Sequence, residues 1–262
     1  MEILKQFIRP LTSHKYLLYQ LTLREIRARY KQSIIGYVWI VFNPLVQLLV
    51  YTFVFSVIFK FPTGGVPYSV FLFIGLLPWI YLQTSLSTAA LVLIDNSNLL
   101  KKVSFPREIL PYSVILAKGI DLFFSLLLLL VLMVFYRLPF QSSLFLVIPL
   151  LLIQIILMTG LSLFLSAANL FYRDIQHLTN LVLLIWLYMT PIVYSLSLVP
   201  KEYVWLYKLN PMVGVIEGYR SAFLNLPFDT GTIAWSLLSS LVIFVIGFWI
   251  FKRGEKVFAD IV

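Results

Sequence analysis

The chain has 262 residues, 61% of them hydrophobic and only 12% charged, with a mean hydropathy of +0.95. Soluble domains carry about a quarter charged residues, so this composition excludes a water-soluble globular protein, and segments of about 20 apolar residues per crossing leave no length for an added soluble catalytic domain. The net charge of +9 fits a basic cytoplasmic membrane face better than nucleic acid, and zero cysteines with two separated histidines, His14 and His177, argue against disulfides, thiolate metal sites and catalytic triads.

Residues 1–36 read as a cytoplasmic tail and an amphipathic helix. Tyr16, Tyr19, Leu23, Ile26, Tyr30 and Ile34 recur at spacings of three and four and mark one helical face. Gln20, Arg24, Arg27 and Lys31 form a second stripe a quarter turn away. A tyrosine-bearing apolar face beside a basic one predicts a helix in the membrane interface, its cations reaching toward lipid phosphates. No secretory signal is expected, because the first long apolar run starts only near Gly36.

Residues 37–262 read as an all-α membrane domain of six spans, over 37–59, 69–94, 112–136, 142–169, 176–197 and 232–251. Four carry prolines, Pro44, Pro78, Pro149 and Pro191, which free carbonyls that neighbouring protein or a cavity must satisfy. Fifteen of the 20 basic residues fall on one side of this arrangement, which predicts both termini in the cytoplasm.

Between spans two and three, the cytoplasmic loop 95–111 mixes Lys101, Lys102 and Arg107 with Leu99, Leu100, Val103 and Phe105. Such a loop is either an orientation signal alone or a plug for a groove on a cytoplasmic partner. The outer loop 198–231 holds two apolar pieces either side of Asn210 and Pro211, both too short to span. They are expected to dip into the membrane and return, as a gate or cap. Glu217 and Arg220, three apart, are expected to form a structural ion pair.

No phosphate-binding G-x-x-x-x-G-K-[ST] occurs, and Gly64 and Gly65 are not followed by lysine. The 11 acidic residues are scattered, which disfavours a membrane enzyme holding Mg²⁺. Span interiors carry no ionisable residue apart from Lys118 and Asp121, an expected i,i+3 pair, which disfavours ion-coupled transport. They carry aromatic and amide side chains instead, among them Gln47, Tyr51, Phe55, Trp79, Tyr81, Trp186, Tyr188 and Tyr194. Rings with polar edges suit a sugar passage; interfacial belts and helix contacts account for the same residues. An autonomous channel or secondary transporter is the alternative from another class.

Several stretches together resemble the permease subunits of ABC-2 type polysaccharide exporters, particularly the Wzm-type subunit of O-antigen exporters. They are RARYKQSIIGYVWIVFNPLVQ at 27–47, GLLPWIYLQTSL at 75–86, NSNLLKKVSFPREILP at 96–111, YRDIQHL at 172–178, TPIVYS at 190–195 and LNPMVGVIEGYR at 209–220. The resemblance implies a multi-pass bacterial inner-membrane homodimer of six-span subunits working with two nucleotide-binding ATPase subunits. The chain itself would be no enzyme and hold no cofactor, ATP and Mg²⁺ belonging to the partner. The cargo would be a polysaccharide on a polyprenyl diphosphate, with teichoic acid or capsular polymer as the alternative. By the same resemblance, Asn98, Leu99, Lys101, Lys102, Phe105, Pro106, Arg107 and Glu108 would couple to the ATPase, and Arg24, Arg27, Arg29 and Lys31 would meet the lipid diphosphate. The eight aromatic and amide residues named above would line the channel, and Asn210, Pro211, Glu217 and Arg220 would belong to the gate.

Overall fold

The computed structural model describes residues 11–30, 36–58 and 65–258, and all regular elements among them are helical. Besides four short 3-10 turns among the described residues, they are in chain order α1 (Lys15–Tyr30), α2 (Trp39–Thr52), continued by a π-helical turn (Phe53–Ile58), α3 (Tyr68–Asp95), α4 (Ser97–Lys102), α5 (Ile109–Phe135), α6 (Val147–Phe171), α7 (Ile175–Tyr188), α8 (Val204–Leu209), α9 (Pro211–Leu224) and α10 (Thr230–Gly254). Among the described residues, five helical stretches are long and apolar enough to cross a bilayer: those of α2, α3, α5, α6 and α10.

α3 is the hub. Its most apolar window is 78% buried within the chain, against 17% for α2, so α3 is surrounded by protein while α2 turns most of its surface outward. α6 and α10 pack backbone to backbone, because glycines remove the side chains between them. A Cβ on Gly247 would lie 2.0 Å from the carbonyl oxygen of Gly160, and one on Gly160 would lie 2.5 Å from the Cα of Phe244. Buried Ser162, Ser166, Ser236 and Ser240 add small surfaces to these two helices, the pattern by which membrane helices gain van der Waals contact without a hydrophobic driving force.

Only two of the four prolines lie in helix interiors, Pro44 in α2 and Pro78 in α3. Pro149 falls in the first turn of α6, where an N–H would have no intrahelical partner anyway. Pro191 lies beyond α7, and here the fifth expected span needs correction. The helix ends at Tyr188 instead of running through 197. Its 14 residues reach roughly 21 Å, short of the ~30 Å hydrocarbon core. Thr190, preceding a proline, is pushed out of the α region, and its hydroxyl donates to the Trp186 carbonyl at 2.7 Å, closing the helix end.

α1 lies against the bundle by one side only. The side packed onto the protein, chiefly on α5, carries Leu18, Leu21, Thr22 and Ile26, while Tyr16 stays 73% exposed and Tyr19 is exposed as well. Aliphatic side chains fill the groove without stranding a polar atom, whereas a buried tyrosine needs a partner for its hydroxyl. Tyr30 and Ile34, expected on the same face, lie outside the residues whose side chains are described, as does Lys31.

Candidate functional site

The two ends of α10, roughly 37 Å apart for 25 residues, separate two polar assemblies. Near its start, α8 and α9 form the short helical pair expected around Asn210 and Pro211. Asn210 caps α9, accepting from the Met212 N–H at 3.0 Å, with Pro211 at the first helical position where its fixed φ suits the turn. The same side chain ties α7 to this pair: its Oδ1 accepts from Trp186 Nε1 at 2.9 Å and its Nδ2 donates to Thr190 Oγ1 at 2.9 Å. α9 is buried along most of its length, so this backbone is surrounded by protein. Asp229 caps α10 through Thr232 and accepts from Lys208 Nζ at 2.6 Å; these contacts hold its carboxyl down to about 2.

Arg220 on α9 completes this assembly. It is 1% exposed, lies with its guanidinium carbon 3.9 Å from the Phe71 ring centroid, and pairs with Glu217 at 2.7 Å, as the spacing predicts. Nη2 donates to the Ile192 carbonyl at 2.7 Å and Nη1 reaches the Tyr194 carbonyl at 3.4 Å. Tyr68 donates to the Val193 carbonyl at 2.7 Å. Three successive carbonyls of the non-helical segment after α7 are thereby satisfied by side chains, as buried irregular backbone requires. The sequence shows Arg220 as half of a local pair and gives no sign of this longer-range role.

At the other end of α10 the basic elements gather. Arg24 of α1 donates to Asn96 Oδ1, at the start of α4. Lys252 of α10 pairs with Glu108 at 2.7 Å and Glu255 at 2.9 Å, while Arg107 donates from its backbone to Glu255 Oε1 at 3.1 Å and from its guanidinium to the Glu255 carbonyl. The expected coupling residues therefore divide. Asn98, Lys101 and Lys102 are exposed on and around α4, with Leu99, Phe105 and Pro106 half-buried. Glu108 is 1% exposed and Arg107 is tied to the chain's own C-terminal segment, so these two face neighbouring parts of this chain while Asn98, Lys101 and Lys102 face outward. Burial pushes the Glu108 carboxyl up, against the opposing pull of the Lys252 hydrogen bond.

The expected diphosphate residues divide too. Arg29 is ion-paired with Asp121 and Glu25, so Asp121 is not the partner of Lys118; Arg24 is engaged with Asn96; Arg27 is exposed; and Lys31 lies outside the described residues. Arg24 and Arg27 share a cleft with Tyr37.

The eight expected channel residues do not form one surface. Trp79 is fully buried, edge-on to Trp186 at 5.8 Å and donating to Gln83 at 3.1 Å; Tyr81 is buried and donates to the Ile115 carbonyl at 3.1 Å. Trp79 is thus a core helix contact, since a channel wall must be open. Tyr51 packs beside Phe55, Tyr188 is exposed, and Tyr194 donates to the Tyr188 carbonyl at 2.9 Å. Gln47 and Tyr81 meet instead at a cavity of roughly 590 Å³ among α1, α2, α3 and α5, which Arg29, Lys118 and Asp121 also line. Two buried amides outside the predicted sites join α6 to α3: Gln154 donates to the Pro78 carbonyl at 2.6 Å and Asn169 to the Ala90 carbonyl at 2.8 Å. Their signal was a lone amide within an apolar span.

The family described as ABC-2 type transporter matches residues 16–224. The O-antigen export system permease protein RfbA of Myxococcus xanthus is 36% identical over 222 residues, covering 83% of this chain and 84% of that protein. The protein of the same name from Klebsiella pneumoniae is 30% identical over 246 residues, 94% of each chain. The polysialic acid transport protein KpsM of Escherichia coli is 27% identical over 244 residues, 90% of this chain and 92% of that one.

Proposed function

The chain belongs to the ABC-2 type transporter family, and from that premise we propose that it is the membrane permease of an ATP-driven exporter carrying an O-antigen-like polysaccharide on a polyprenyl diphosphate. The observation that carries this reading is the gathering of cationic elements at one end of the bundle. α1, α4 and the C-terminal part of α10 are joined there by the Arg24–Asn96, Lys252–Glu108 and Arg107–Glu255 contacts, leaving Lys101 and Lys102 exposed. Positive charge on the cytoplasmic side orients that end inward. In this reading α7 and the segment after it complete a sixth crossing in the bacterial inner membrane, since both basic termini then face the cytoplasm.

The chain works as a homodimer with two ATPase subunits docked at α4. Closure of the ATPase pair pushes on Lys101 and Lys102, and the ion pairs of Arg107 and Glu108 pass the displacement to α10, whose other end is latched to α8 by Lys208 and Asp229. The α8–α9 pair is the outer gate. Exposed apolar side chains along α2 and α7, Phe42, Leu49, Phe53, Leu181 and Ile185 among them, are where a second subunit or lipid is accommodated. A capsular polymer is the second cargo reading, favoured by the KpsM similarity. The test is reconstitution with a nucleotide-binding subunit in proteoliposomes. Expected is ATP-dependent movement of lipid-linked glycan that stops on Lys101→Glu/Lys102→Glu substitution; transport without nucleotide would refute the reading.

A further inference from the structure

Lys118 lies nine residues past the start of α5, roughly 13 Å along the helix, and is 9% exposed. An ammonium within a membrane helix is costly unless it is paired or hydrated, and such residues commonly mark a ligand path. The neighbouring Asp121 is taken by Arg29, and among the described residues no carboxylate lies within ion-pair distance of Lys118. Lys118 opens instead onto the cavity of roughly 590 Å³. That space is many times the ~30 Å³ share of one water molecule, so it holds a hydrated polar group with ease.

The chemistry of the wall selects the sign of that group. Asp121 and Glu25 together meet the charge of Arg29, which leaves Lys118 as the cation of the wall with no carboxylate within ion-pair distance. The hydroxyls of Thr84 and Ser125 are spent on their own helix's carbonyls, at 2.8 Å each. The amides of Asn43 and Gln47, on the same wall, supply neutral donors. A recess that sets an ammonium without an ion pair beside N–H donors, at the level where α1 meets three membrane helices, matches an oxyanion held by charge-assisted hydrogen bonds.

We propose that this cavity binds a phosphate or diphosphate group, with Lys118 as its central cation, Arg29 fixed beside it by Asp121, and Asn43 and Gln47 as the neutral donors. The inference rests on the exporter reading in that a diphosphate-bearing carrier lipid supplies such a group at this depth. It moves recognition from the outward stripe of α1 to a recess behind it, and adds a residue from α5 that the stripe does not contain.

The experiment uses the purified full-length chain in phosphatidylcholine nanodiscs, without ATPase or nucleotide. It measures equilibrium binding of ³²P-labelled undecaprenyl diphosphate and inorganic pyrophosphate. Lys118→Gln is expected to weaken binding roughly tenfold to hundredfold, the loss of one hydrogen bond to a charged group, while Lys118→Arg stays within about threefold of the parent. Tighter binding of the lipid than of pyrophosphate assigns the site to a lipid headgroup. Equal binding with the same dependence on Lys118 assigns it to the free anion, and both support the anion site. Unchanged affinity of Lys118→Gln for both probes overturns it. Should that variant fail to fold, Ser125→Phe fills the cavity with both cations in place, and full affinity there overturns the proposal equally. Because no transport is measured, failure here leaves the exporter reading standing, and that reading fails only in the proteoliposome assay.

Discussion

Replacing Arg220 with methionine keeps a long apolar stem against Phe71 and removes the guanidinium. Three groups then lose their donor: the Ile192 carbonyl, the Tyr194 carbonyl and the Glu217 carboxylate. A buried acceptor left unsatisfied costs about 1–3 kcal/mol, and here the Ile192 bond at 2.7 Å is the strong one while the 3.4 Å contact to Tyr194 contributes little. Breaking a buried ion pair from one side costs about 3–5 kcal/mol. The Glu217 side chain keeps 28% of its exposure, so water recovers part of that loss. A total of about 4 kcal/mol follows, and at roughly 2–4 °C per kcal/mol for a chain of this size the melting temperature should fall by about 10 °C. Thermal unfolding of the detergent-solubilised chain, read by fluorescence-detected size exclusion, measures it. Arg220→Lys should fall between parent and methionine, because one ammonium replaces only part of the planar fork. Glu217→Gln should cost less than Arg220→Met, since it leaves the carbonyl bonds in place. A shift below about 2 °C for Arg220→Met would refute the idea that this side chain holds the segment after α7.

At the α6–α10 crossing, Gly247→Ala places a methyl 2.0 Å from the Gly160 carbonyl, whose backbone cannot step aside; a loss of about 3 kcal/mol or more is expected, seen as a lower melting temperature and reduced yield of folded chain. Asp229→Ala removes the α10 cap and the Lys208 latch and should cost about 1 kcal/mol. Because the folded carboxyl is held down to about 2 from 3.8, its stabilisation is complete above pH 3.8 and fades as pH falls toward 2, so parent and Asp229→Ala melting temperatures should converge across that window. Lys101→Glu/Lys102→Glu, on exposed positions, should leave stability within about 0.5 kcal/mol; co-purification with the ATPase subunit and stimulated ATP hydrolysis should both be lost.

Membrane residence, the helical class and the presence of five long apolar helical stretches follow from the sequence alone, because in hydrocarbon a run of about 20 apolar residues has to satisfy its backbone internally and α-helix does so locally. The short helices around Asn210 and Pro211 are equally local, set by a capping amide and a proline that suits only a first turn. What tertiary structure decided is where polar side chains send their hydrogen bonds. A hydropathy run counts Trp186 and Ile192 alike and cannot place the end of α7 at Tyr188. That boundary depends on Arg220, 28 residues beyond Ile192, reaching back to its carbonyl. Aromatic and amide residues looked the same whether they faced a passage or another helix; packing made Trp79 core and Gln47 cavity wall. Asp121 had two cations within reach of its sequence and structure, Lys118 by spacing and Arg29 by fold. The fold gave it to Arg29, 92 residues away, leaving Lys118 to the cavity. Local sequence fixes which groups need partners, and only the three-dimensional arrangement decides which partners arrive, because in a membrane interior the water that would otherwise serve every one of them is missing.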